Sequence, residues 1–139
     1  MTYLANPGGT VPGFRLVDGS DIAALVAYMN ATPGLQTKQI VSASGAGTIS
    51  LTNPFVIITA GAAATLTLPA PAAGTQDGLI LTIISTTAFA HTITSTFHLF
   101  NGSAANSTAT FAAFAGASLT VQAYNGSWYV VGEQASTFT

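Results

Sequence analysis

The sequence predicts an all-β fold: an antiparallel sandwich or barrel of short strands, preceded by an N-terminal extended arm and one short helix. Three observations predict it. From about Gln39 onward, short runs rich in Thr, Val, Ile and Leu alternate with turn residues, as strands do. Several runs have period two, so that in "ATLTL" Leu66 and Leu68 point one way and Thr65 and Thr67 the other. Turn signals recur roughly every 8–12 residues, the spacing of a sandwich or barrel.

Residues 1–17 are punctuated by Pro7, Gly8, Gly9, Pro12 and Gly13, which favour extended and turn conformations and make this stretch an arm. In "DGSDIAALVAYMN", Ile22, Leu25, Val26 and Met29 recur at i, i+3, i+4 and i+7 and share one helical face. Asp18 or Ser20 can cap the start, Asp21 suits the positive end of the dipole, and Asn30 followed by "TPG" ends the helix. The domain reading is therefore 1–38 for arm and helix and 39–139 for the β-domain. Candidate strands are "QIVSAS", "GTISL", "FVIIT", "ATLTL", "GLILTIIS", "HTITS", "FHLF", "STATFAAF", "SLTVQAY" and "SWYVVG". In "SLTVQAYNGSWYVV", Asn125-Gly126 supplies the two positive-φ residues of a type I′ hairpin turn. Asn101-Gly102 and Asp77-Gly78 have the look of the same device, the latter closing a loop opened by Pro69 and Pro71. "AGAAATLTLPA" and "AGASLTVQAYN" share a small-residue lead-in, read as two strands with the same local job rather than a duplication.

Composition narrows the function classes. Charged residues make up 4% of the chain, against about 25% in an ordinary soluble domain. The six are Arg15, Asp18, Asp21, Lys38, Asp77 and Glu133, so no basic stripe exists to neutralise a row of phosphates, and nucleic acid is not an expected partner. Apolar runs are short and interrupted by Thr or Gly, which excludes a membrane helix. The first residues have neither a basic nor an apolar signal region, and synthesis in a cytoplasm is expected. There are no cysteines, which removes disulfides and thiolate chemistry.

The inventory for catalysis is poor, and no enzyme activity is expected. His91 and His98 are seven apart, an odd spacing that puts them on opposite faces of one strand, so structural or surface histidines are the default and neither a metal nor a cofactor is expected. No "GxSxG" elbow marks a nucleophilic serine. Paired carboxylates for glycoside hydrolysis would have to come from Asp18, Asp21, Asp77 and Glu133, the first two of which are better explained as helix-start residues. Trp128, Tyr124, Tyr129 and Phe138 cluster near the C-terminal end: exposed, they would form a sugar platform, whereas alternation favours Trp128 packed in the core with Val130. The Asn-X-Ser/Thr patterns at Asn101, Asn106 and Asn125 read as turns, not glycan sites.

Residues 48 to about 133 carry a resemblance. The "LPAPAAGTQDG" turn ahead of a buried strand, the "AHTIT" strand and the terminal "NGSWYVV" hairpin resemble a β-rich module of tailed-bacteriophage structural proteins, notably head decoration (cement) proteins and fibre-like proteins. The lead "PGFRLVDGSDIAAL" resembles N-terminal segments of phage virion proteins. The resemblance implies a structural role on the capsid surface of a virion, with the major capsid protein as partner and a threefold oligomer favoured; it carries over no active-site residue. Independently, scarce charge favours association, and the apolar face of Ile22, Leu25, Val26 and Met29 is the expected oligomer contact. Pro7, Pro12, Phe14, Arg15 and Leu16, in the arm, are the expected capsid-docking residues, adding a strand to a capsid edge. The alternative is a tail-fibre or spike module that binds a host-surface glycan; the chain starts at Met1 and shows no shaft repeat, which favours decoration.

Overall fold

A computed structural model describes residue 23, residues 37–96, 100–103 and 105–139. The chain divides into two units, Met1–Gln36 and Thr37–Thr139. The arm, the helix apart from Ala23, and His98 lie outside the described residues, and so do Arg15, Asp18 and Asp21.

Among the described residues the second unit is all-β, ten strands in two five-stranded sheets that pack face to face. They are β1 (Lys38–Val41), β2 (Gly45–Thr48), β3 (Phe55–Ile58), β4 (Ala64–Leu68), β5 (Ile80–Ser85), β6 (Thr92–Ser95), β7 (Thr108–Phe111), β8 (Ser118–Tyr124), β9 (Ser127–Gln134) and β10 (Ser136–Phe138), with a 3-10 turn at Phe100–Gly102. The first sheet has the order β1-β3-β5-β8-β9, the second β10-β7-β6-β4-β2. Lys38, assigned to the arm from sequence, opens β1.

The two-sheet sandwich is as the sequence predicts, but the pairing is mixed rather than antiparallel. From β1 to β6 the chain crosses to the other sheet at every connection, so the next strand in a given sheet arrives after a full circuit and runs in the same direction. β1, β3 and β5 therefore stack parallel in one sheet and β2, β4 and β6 in the other. Phe55 pairs with Thr82, and Thr65 with Thr92, each partner 27 residues further on. The connections from β1 to β6, including the one that contains Asp77-Gly78, are corners between sheets. Only from β7 onward do antiparallel pairs form, β7 on β6 and β8 on both β5 and β9.

Inward residues of both sheets build one core: Val56, Ile58, Leu66, Leu68, Leu81, Ile83, Ile93, Phe111, Leu119, Val121 and Trp128, with Ile49 and Phe100 from connections. Fully burying side chains of this kind contributes about 1.5–3 kcal/mol each. Gly47 faces inward because Leu66 packs onto it: a Cβ there would stand 3.1 Å from Leu66 Cδ2. Trp128 is completely buried, and its Nε1–H donates to the Pro69 carbonyl at 2.8 Å.

The β8–β9 turn is the predicted one, with Asn125 at φ 47° and Gly126 at φ 78° between the paired Tyr124 and Ser127. Gly126→Val places a β-branched side chain at positive φ and should cost about 1–3 kcal/mol in a thermal melt; an unchanged melt would mean the hairpin tolerates another turn. The two similar dipeptides behave differently. Only Gly78 of Asp77-Gly78 has positive φ. Asn101 (φ 58°) and Gly102 (φ 66°) bend the 3-10 turn instead of joining two strands, so Phe100 turns inward as a plug and does not end a strand.

Candidate interaction surface

The two outer faces of the sandwich differ in chemistry, and the registers show how. Across the second sheet, Thr65, Thr92, Thr110 and Thr137 lie opposite one another in one row, and Thr48, Thr67, Thr94 and Thr108 in the next. Thr94 and Thr108 share a hydroxyl–hydroxyl bond of 3.2 Å. No strand of this sheet contains a charged residue, so its outer face is wetted by hydroxyls alone.

The outer face of the first sheet is apolar where its strands are parallel. Ile40, Ile57 and Ile84 form a row across β1, β3 and β5; Phe55 stands beside Lys38 in the next row, and Ile80 lies beyond on β5. Ile40 is 56% exposed and Ile80 50%; Phe55 and Ile84 are also exposed. Lys38 is the one charge among them. This patch is not among the sites expected from sequence. Its signal is the pair of runs "FVII" and "ILTII", apolar at successive positions and hence on both faces of the strand, the pattern of a strand meant to be covered on both sides.

Beyond Ile80 the face becomes aromatic. Ile80 pairs with Gln122 and Gln122 with Tyr129, while Tyr124 stands diagonally across at the hairpin end. Tyr124 and Tyr129, with Gly78, Gln122 and Ala123, line an open cleft of ≈ 320 Å³. Trp128, the residue next to Tyr129, points the other way into the core, as alternation predicts, and contributes nothing to a sugar platform.

Each described titratable candidate has a local structural task. Asp77 Oδ1 accepts from the backbone N–H of Gly74 (3.1 Å) and of Asn125 (2.8 Å), tying the β4–β5 loop to the hairpin turn. Glu133 Oε2 accepts from Ser136 N and Oγ, which holds its carboxyl below the usual range and turns β9 into β10. Asn101 Oδ1 accepts from Val130 N at 2.8 Å, covering part of the β9 edge. His91 is wholly buried: its Nδ1 accepts from Ala64 N–H (3.1 Å), and its Nε2–H donates to Thr87 Oγ1 (3.1 Å), which in turn donates to the Ala60 carbonyl (3.0 Å). Burial pushes its pKa down. Among the described residues no three His, Asp or Glu side chains come together, and no helix is long and apolar enough to cross a membrane.

The expected docking residues Pro7, Pro12, Phe14, Arg15 and Leu16, and the expected oligomer residues Ile22, Leu25, Val26 and Met29, lie outside the described residues. Compared with known proteins, the chain matches no family model, and no curated protein is detectably similar to it.

Proposed function

We propose that the chain is a structural virion protein, a head decoration (cement) protein that binds the outer capsid surface of a tailed phage as a homo-oligomer, with a trimer favoured. The observation that carries this reading is the apolar patch Ile40, Phe55, Ile57, Ile80 and Ile84 on a sandwich with almost no surface charge. Such a surface suits a permanent assembly, in which apolar area is buried between copies and many weak contacts add. Strand pairing between the arm and a capsid protein would give affinity through main-chain bonds, with no ion pairs to screen. No catalytic step and no cofactor enters this reading.

The test mixes the protein with undecorated heads and measures cosedimentation. The intact chain should bind and stay bound in moderate salt, and light scattering should give a multiple of 14.0 kDa. Deleting residues 1–17 should abolish head binding. Ile40→Asp, at an exposed position that leaves the core untouched, should reduce the particle to a monomer. A stable micromolar monomer, undiminished binding without the arm, or release by salt alone would each count against the proposal.

A further inference from the structure

The Tyr124–Tyr129 cleft shares no lining residue with the apolar patch of Ile40, Phe55, Ile57, Ile80 and Ile84. The two rings are held at centroids 6.4 Å apart and 57° to one another, so they form an open notch and not a stacked pair that satisfies itself. Tyr124 is 63% exposed and Tyr129 40%. The amide of Gln122, between them, makes no hydrogen bond among the described residues. Gly78 leaves the wall open, since a Cβ there would meet nothing within 4 Å. The frame is rigid: Gly78 N–H donates to the Ala123 carbonyl at 2.8 Å, and Asp77 braces the Asn125 amide beside Tyr124.

The lining selects the ligand class. Among the described residues it carries two phenol rings, one free amide and no charge, so none of them can pair with an anion or a cation. A volume of ≈ 320 Å³ lies at the small end of small-molecule sites. A sugar ring presents a C–H-rich face that packs on a tyrosine ring and hydroxyls that an amide can meet as both donor and acceptor. From this geometry we propose that the cleft between Tyr124 and Tyr129 binds one ring of a neutral carbohydrate. The frame is already tied by the Gly78–Ala123 and Asn125–Asp77 hydrogen bonds, which keeps the ordering cost of binding low. With only a few contacts, a single ring binds with a Kd on the order of 1 mM, and copies in an assembly raise this by avidity.

The site goes beyond the assembly reading and is tested separately from it, by a measurement that does not depend on heads or oligomers. Saturation-transfer difference NMR on the intact protein uses the methyl glycosides of glucose, galactose, mannose and N-acetylglucosamine as probes. At least one should receive saturation on the C–H protons of one ring face. Tyr124→Ala and Tyr129→Ala should each weaken that binding about tenfold, while Tyr124→Phe retains it. Both side chains point outward, and an unchanged thermal melt checks that the fold persists. Absence of transfer to all four sugars, or transfer that survives the double alanine variant, would overturn the proposal.

Discussion

Trp128→Ala should lower stability by about 3–5 kcal/mol, the range for removing a buried indole or phenyl ring. For a β-unit of this size that is a fall in Tm of roughly 10–20 °C. Two terms add. The first is the cavity left between the sheets where Trp128 now fills space beside Val130. The second is the hydrogen bond to Pro69: its carbonyl, at the point where a residue without N–H ends β4, accepts the indole N–H at 2.8 Å. Trp128→Phe separates them, because it keeps most of the ring volume and removes the donor, and should cost about 1 kcal/mol through the bond alone. A melt that shifts by only a few degrees in Trp128→Ala would mean that the side chain is not in the core.

Trp128 also shows what a sequence can reveal here. Its inward direction follows from alternation against Tyr129, and the turn before it follows from Asn125-Gly126, because both depend on neighbours a few residues away. The parallel stacking does not follow, since whether the three residues after Val41 make a hairpin or a corner depends on which sheet buries β2, a matter of packing that local chemistry does not encode. Strand β10 escapes notice because Ser136–Phe138 is too short to show a period; Phe111 in β7 and the Glu133 carboxylate hold it in place. The arm and helix residues drew attention as candidate contacts because prolines and i, i+3, i+4 spacing are conspicuous in a string. Tyr124 and Tyr129 stand out in the string as part of an aromatic cluster, but the cleft does not, since it exists only when β5, β8 and β9 align and bring Gly78 beside Tyr124. A row such as Ile40, Ile57 and Ile84 is likewise invisible until register is known.

His91→Leu should destabilise the protein at neutral pH and remove part of its acid sensitivity, and the second effect is the more diagnostic. In the fold the ring is neutral: Nδ1 accepts from the buried Ala64 N–H, so a proton placed there would set donor against donor, and burial separately disfavours the charge. Leucine fills comparable space but leaves that N–H without an acceptor, a loss of about 1–3 kcal/mol. The pH dependence follows from the depressed pKa. In the unfolded chain the imidazole titrates at about 6.5. Between that value and the lower folded one, the unfolded state binds a proton that the native state refuses, so His91's contribution is fully present above the unfolded pKa and is lost as pH falls. The slope approaches about 1.4 kcal/mol per pH unit and levels off below the folded pKa. Melts of both proteins at about pH 7.5 and about pH 5 should therefore converge on acidification, the wild type losing more than the variant. His98 and the carboxylates are common to both, so the difference isolates His91. Parallel loss in the two proteins would show that the ring is not held neutral in the fold.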